Sequence, residues 1–193
     1  GFSCSVTCGR VSFVLGLQGP CASFDTACSA SLVGHHSNMR ALQRSECEAS
    51  LSAGVNMILD PATMRGNAIA GFTSIRGRSH TFDARADGYA RGEAIDAFVC
   101  QLREERTSEA RVRMMGSAVR QDGRSASLTA PNGHAQQGVL GAALLDARLD
   151  ASEVTVVEAH GTGTALGDPI EAGAVAAVFL SQRSAVNEHL SLG

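Results

Sequence analysis

Asp25-Thr26-Ala27-Cys28-Ser29-Ala30-Ser31-Leu32 is the stretch from which the rest of the chain is read. Gly19-Pro20 ahead of it signals a turn, and Cys21-Ala22-Ser23-Phe24 has the composition of a short strand. Behind it, Leu32, Val33, His36, Met39, Arg40 and Leu42 recur at helical spacing among good helix formers. Cys28 is therefore expected where a strand turns into a helix. Free amide N–H groups and the positive end of the helix dipole favour a thiolate there, and the thiolate is the attacking form. The dipole contributes only roughly 1 kcal/mol, so a nearby base or cation has to complete the activation. A buried, inert cysteine is the usual alternative for this residue type. The strand–turn–helix setting argues for a nucleophile.

Working outward, Val11-Ser12-Phe13-Val14-Leu15 fits a short helix or a strand, and Gly16 to Pro20 closes it. On the other side, Ala49 to Asn56 is small, apolar and bounded by Asp60-Pro61, as a buried strand is. Following a helix so closely, it predicts a β-α-β unit in a parallel sheet. Residues 61–92 are glycine-rich and charged without a long periodic run, which reads as a long ordered loop. Within it Asp83, Arg85, Asp87, Arg91 and Glu93 crowd around Gly88-Tyr89-Ala90, and mutual salt bridging is the expected role.

The period then changes to two. Residues 94–102 and 111–119 read as strands joined by a charged turn at 103–110. Residues 134–148 form an amphipathic helix after the loop Thr129 to Gly133. Val154 to Ala159 is a β-branched strand running straight into His160-Gly161-Thr162-Gly163-Thr164. Asp168 as N-cap, Pro169 at N1 and Glu171 at N3 then open another helix. Two strand–turn–helix units, one with Cys28 and one with His160, hint at an internal duplication.

Composition narrows the function. The 193 residues are 44% hydrophobic with a net charge of −3, which suits a globular core and offers no electrostatic case for nucleic acid or an anionic membrane. All 16 basic residues are arginine, so Schiff-base chemistry and a P-loop are excluded within this segment. With no tryptophan and one tyrosine, base-stacking platforms are absent too. The six cysteines are scattered without a CxxC pair, so neither a zinc site nor a disulfide scaffold is expected. Reduced thiols point to an intracellular compartment, cytoplasm or plastid. The chain opens on Gly-Phe-Ser with no signal peptide or membrane span and ends in mid-pattern, as a piece of a larger protein would.

His160 stands at the C-terminal end of a strand, where α/β proteins place functional groups. Its two glycines allow close backbone approach to a ligand, and its threonines supply hydroxyls. His35, His36, His80, His134 and His189 lack such a loop and read as structural.

Taken together, Asp25 to Leu32, Thr81 to Tyr89, Gly116 to Arg124, Leu128 to Gly133 and Val157 to Ala172 resemble the β-ketoacyl synthase domain of type I modular polyketide synthases. The resemblance runs in order over nearly the whole chain. It implies an α/β, thiolase-like fold layered αβαβα, here lacking its N-terminal part and much of its second half. Residues 1–125 would form roughly the first half and 126–193 the start of the second. It also implies a homodimer, with the strand before the nucleophile at the dimer interface.

By position, the resemblance makes Cys28 the acyl-accepting nucleophile and His160 the first of two histidines that act on the malonyl extender and its enolate. Thr162 and Thr164 would contact the phosphopantetheine arm of an acyl carrier protein, with Asp168 and Glu171 in structural support. No metal or redox cofactor is implied. The family's later segments are missing: a lysine–serine–asparagine stretch with the second histidine, and a glycine–phenylalanine loop completing the oxyanion hole. The absent lysine would pair with an acid such as Glu171. Ala94 and Ala30 also stand where the family more often has glycine and serine. The 193 residues alone are therefore expected to lack turnover.

Two rivals differ in kind. A papain-like cysteine protease would fit the separation of Cys28 and His160, but no Cys-Gly-Ser-Cys-Trp pattern surrounds Cys28. A catalytically inactive partner or chain-length subunit keeps the fold but lacks the nucleophile, and Cys28 argues against it. A fatty-acid synthase relative would run the same reaction.

Overall fold

The computed structural model describes residues 3–102, 112–181, 183 and 189–193. The chain divides into two compact units, residues 1–57 with 93–113, and residues 58–92 with 114–193.

The first unit begins with α1 (Cys4–Leu15), so the ambiguous N-terminal run is a helix. Gly16, left-handed at φ 67°, ends it, as an αL cap without Cβ strain does. Helix α2 (Ala30–Gln43) follows a single 3₁₀ turn, Ala27–Ser29. Strand β1 (Ala49–Asn56) pairs antiparallel with β2 (Ala94–Gln101), from Ala49 opposite Gln101 to Asn56 opposite Ala94. This corrects two expectations. Cys21–Phe24 forms no strand, having no ladder partner, and the expected parallel β-α-β unit is replaced by an antiparallel pair. Composition alone marked a strand at 21–24, but pairing decides whether one forms.

Helix α2 covers one face of the pair. A Cβ on Gly54 would lie 3.0 Å from Ser31 Cβ, and one on Gly34 would touch Ser52 Oγ and Phe24 at 3.7 Å. His35 packs edge-on to Phe98 with ring centroids 4.8 Å apart. Small residues thus let helix and strand approach, and Ser52 and Leu42 are buried. Alternation puts Leu51, Val55, Ile95 and Val99 on the opposite face, where Ile95 is 68% and Val99 73% exposed.

The second unit opens with α3 (Pro61–Ile69), inside the region read as loop. Asp60 accepts the Ala62 N–H at 2.9 Å, and Pro61 sits in the first turn, where its missing N–H is no loss. Helix α4 (Gly133–Ala147) matches its expected range within a residue. Its N-cap Asn132 accepts from the His134 and Ala135 amides, and Asp122 Oδ2 accepts the Asn132 N–H at 3.0 Å. The second expected strand of the period-two region is not formed over 112–119, where the Ser117 N–H goes to Asp146 Oδ2 at 2.9 Å instead of to a ladder. The charged turn proposed at 103–110 lies outside the described residues.

Strand β3 is only Val156–Val157, shorter than the expected 154–159, and pairs parallel with β4 (Ser191–Leu192). Helix α5 (Gly167–Val175) continues into a π turn, Ala176–Leu180. Ala151, Val175 and Phe179 form the buried cluster, with Leu140 and Leu144 of α4 and Val157 of β3 packed against it. No described helix is long and apolar enough to cross a membrane.

Candidate active site

Cys28 sits in the first unit, exposed on the 3₁₀ turn directly ahead of α2. The residue before it, Ala27, is left-handed at φ 55°, a conformation costing a non-glycine residue roughly 1–2 kcal/mol. Neighbours hold the turn. Asp25 Oδ1 accepts the Ala27 N–H at 3.3 Å, Ser29 Oγ donates to the Thr26 carbonyl at 3.0 Å, and the Thr26 and Ser29 hydroxyls are 2.9 Å apart. The result is a sharp entry into a helix with the thiol left in solvent.

His160, Thr162, Thr164, Asp168 and Glu171 belong to the second unit, where one loop and the start of α5 bring them together. The Glu171 carboxylate accepts the His160 N–H at 2.7 Å and the Gly161 N–H at 2.9 Å. Asp168, 3% exposed, accepts the Gly163 N–H at 3.0 Å, the Thr164 N–H at 3.3 Å and the Phe82 N–H at 2.7 Å. These contacts replace the expected helix start. The helix begins two residues earlier, at Gly167, and Leu166 takes the cap position. Asp168 and Glu171 turn back onto the preceding loop because its left-handed glycines, Gly161 and Gly163, aim successive amides at them. The arrangement is an anion nest with carboxylates as the anions.

The threonine hydroxyls face each other, Thr162 Oγ1 and Thr164 Oγ1 being 3.2 Å apart, and Thr164 Oγ1 also accepts the Gly167 N–H at 3.0 Å. His160 is exposed. Its backbone N–H is held by the Glu171 carboxylate.

The sequence reading marked Thr81 to Tyr89 as a motif but did not foresee that this segment joins the His160 loop. Residues 79–88 dock on the loop: Thr81 Oγ1 donates to the Gly161 carbonyl at 2.5 Å, and the Gly88 N–H donates to the Gly163 carbonyl at 2.9 Å. The approach is close enough that a Cβ on Gly163 would lie 2.8 Å from His80 N, and one on Gly161 2.7 Å from Thr81 Cγ2. The glycines therefore serve chain-to-chain packing as well as any ligand. An open groove of about 440 Å³ runs beside this junction, lined by residues including Phe82, Asp83, Thr164, Asp168 and Pro169. On its rim Arg85 pairs bidentately with Asp83, Nη2 to Oδ2 at 2.7 Å and Nε to Oδ1 at 2.9 Å. Hydrogen bonds from the Arg85 side chain and backbone hold the Asp83 carboxyl well below the usual carboxylate range. Arg76 reaches Asp87 at 3.6 Å. The charged cluster is thus partly salt-bridged, as its composition suggested. Among the described residues no group of His, Cys, Asp and Glu is arranged to hold a metal ion.

Comparison with known proteins agrees across both units. The beta-ketoacyl synthase N-terminal domain family matches residues 1–106 and the C-terminal domain family matches residues 112–193. Erythronolide synthase EryA2 of Saccharopolyspora erythraea is 46% identical over 95% of this chain, which spans 5% of that protein. Phenolphthiocerol synthesis polyketide synthase type I Pks15/1 of Mycobacterium bovis is 48% identical over 96% of the chain, which spans 9% of it. Among solved structures, the ketosynthase from module 6 of the bacillaene synthase of Bacillus subtilis 168 superposes over 99% of this chain at a TM-score of 0.88 and 32% identity. The oxazolomycin ketosynthase domain OzmH KS7 of Streptomyces albus JA3453 gives 0.90 over 100% of the chain at the same identity. This chain spans 34% of each of those two. The fold is thus part of a thiolase-like ketosynthase domain, and the chain belongs to the β-ketoacyl synthase family.

Proposed function

We propose that this chain supplies the nucleophile and one catalytic histidine of a β-ketoacyl-[acyl carrier protein] synthase working in polyketide assembly. The Cys28 thiolate attacks the thioester of an acyl group carried on phosphopantetheine, the carrier thiol leaves, and the acyl chain rests on Cys28. A malonyl-type thioester then loses carbon dioxide, and the His160 imidazole N–H donates to the enolate oxygen as charge develops there. The enolate carbon attacks the Cys28 thioester, the thiolate is expelled, and a β-ketoacyl carrier product leaves.

The observation that carries this reading is the exposed Cys28 at the head of α2, on a turn strained at Ala27. A merely structural cysteine has no use for solvent access or for such a turn. Supporting it, Glu171 and Asp168 together bind four loop amides besides that of Phe82, fixing the backbone from which His160, Thr162 and Thr164 extend. Thr162 and Thr164 are the residues we assign to the phosphopantetheine arm, each hydroxyl keeping hydrogen-bonding capacity beyond its present contacts. The partners proposed are an acyl carrier protein and a second copy of the complete domain. On its own the 193-residue chain is proposed not to turn over, since no lysine is present and His189 is the only histidine after His160.

The test uses the intact synthase that carries this segment. His160→Ala should still accept an acyl group on Cys28, while decarboxylation of malonyl carrier protein falls by roughly 10²–10³. Decarboxylation surviving within a few-fold would make His160 structural and sink the assignment.

A further inference from the structure

Phe82 stands in a conformation that an aromatic residue rarely takes. Its φ of 55° lies in the left-handed region, where Cβ crowds the following carbonyl and a bulky residue is an outlier. Three contacts hold it there. Thr81 Oγ1 donates to the Gly161 carbonyl at 2.5 Å, the Phe82 N–H donates to Asp168 Oδ2 at 2.7 Å, and the Asp83 N–H donates to the His80 carbonyl at 3.2 Å. A glycine or an asparagine would take this turn with less strain, so the turn itself has no need of a ring. What the strain secures is the side chain's place: Phe82, 39% exposed, lines the groove of about 440 Å³ together with Thr164, Ala165 and Pro169. Backbone strain enforced by the surroundings points to a functional position.

Both carboxylates along the groove are already compensated. Asp83 is paired bidentately with Arg85, and Asp168, 3% exposed, accepts the amides of Phe82, Gly163 and Thr164. What remains for a ligand is an apolar wall and the Thr164 hydroxyl. Thr164 Oγ1 lies 3.2 Å from Thr162 Oγ1 and accepts the Gly167 N–H. Of the O–H groups in such a pair, one donates to its neighbour and the other is left for a ligand carbonyl. The volume falls within the roughly 300–1,000 Å³ of small-ligand sites. A matching ligand is neutral, carries branched methyl groups and has an amide carbonyl beside them. We propose that Phe82 is a positioning residue whose ring packs against the geminal methyl groups of the pantoyl part of the pantetheine arm, holding the adjacent amide carbonyl to the threonine pair. The proposal rests on the reading of Thr162 and Thr164 as the residues that meet that arm, and it adds the apolar side of the contact.

The test gives the intact synthase that carries this segment the same acyl group on two thioester donors, pantetheine and N-acetylcysteamine. The second lacks the pantoyl part. Acylation of Cys28 is followed by mass spectrometry. Phe82→Ala should raise KM for the pantetheine thioester about tenfold at an unchanged maximal rate, and leave the N-acetylcysteamine thioester within about twofold. Phe82→Tyr keeps the ring and should hold KM for the pantetheine donor within about twofold of the unaltered protein. A merely structural Phe82 would impair both donors together, because its turn also anchors the His160 loop. Equal losses on the two donors overturn the proposal. So does an unchanged KM in Phe82→Ala, or a Phe82→Tyr protein as impaired as Phe82→Ala. Failure of the underlying reading looks different: the unaltered synthase would then acylate Cys28 from neither donor, or take both with equal KM, and the proposal would fall with it.

Discussion

The Cys28 turn and the His160 loop stand at the entry to a helix in the same way, yet they are held by opposite means. At Cys28 every fixing hydrogen bond spans two or three residues, between Asp25 and Ala27 or between Thr26 and Ser29. At His160 the fixing groups come from α5 and from a segment some 80 residues earlier, Thr81 and Phe82 among them. The left-handed positions differ as well: an alanine carries the strain beside the cysteine, while glycines take it in the loop. A turn built from neighbours can remain open and exposed. A loop built from distant parts must be locked by buried charge, and Asp168 is that lock.

The sharpest way to break this contrast is Asp168→Ala, which leaves the Phe82, Gly163 and Thr164 amides without their shared acceptor. Loss of about 3–5 kcal/mol is expected in urea unfolding of the second unit; a loss below about 1 kcal/mol would mean that water replaces the carboxylate at no penalty. Gly163→Ala comes next. Its Cβ would meet His80 N at 2.8 Å at a φ of 73°, and about 2–4 kcal/mol should be lost by the same measurement. Glu171→Gln turns one acceptor into a donor facing an amide and should lower stability by about 1–3 kcal/mol. Its amide signals at His160 and Gly161 should move in an ¹⁵N correlation spectrum while those of Thr26 to Ser29 stay.

Ala27→Gly should act in the opposite sense, raising stability by about 0.5–1 kcal/mol because glycine accepts the left-handed turn freely. Destabilisation there would show that the alanine methyl contributes packing. The smallest effect belongs to Asp83. Its folded-state value lies below that of an unfolded aspartate, about 3.9, so its contribution to stability is present above that pH and is lost as pH falls through the lowered value. Carboxyl ¹³C titration should place Asp83 below the ordinary range, and Arg85→Ala should bring it back up. An unchanged midpoint in that variant would remove Arg85 as the cause.

The same contrast explains what the sequence could reveal. Helix α2 follows from Leu32, Val33, His36 and Met39, and α4 from Val139, Leu140, Ala143 and Leu144, because helical hydrogen bonds are local and their periodicity is written along the chain. Strands are not local. Cys21–Phe24 and 112–119 have strand-like composition yet no partner among the described residues, whereas β1 found its neighbour in β2, 38 positions away at the Asn56–Ala94 end, in a direction the sequence did not disclose. Helix α3 was legible and passed over: Asp60-Pro61 is a cap followed by an N1 proline. At the site, Asp168 and Glu171 stood out as helix-opening acids, but their true partners depend on where Gly161 and Gly163 point their amides. Glu171 accepts the backbone N–H groups of His160 and Gly161, contacts that no spacing along the chain announced. Thr81 to Tyr89 stood out as a motif, but nothing along the chain said that residues 79–88 dock on the loop of Gly161 and Gly163.

The central claim is that Cys28 is the acyl acceptor, and transfer of an acyl group from a simple pantetheine thioester to the intact synthase tests it most directly. After brief exposure and digestion under conditions that separate Cys21 from Cys28, mass spectrometry should find the acyl mass on Cys28. Cys28→Ser should abolish it and Cys21→Ser should leave it. An acyl group found on Cys8 or Cys21, or condensation that continues in Cys28→Ser, would contradict the account.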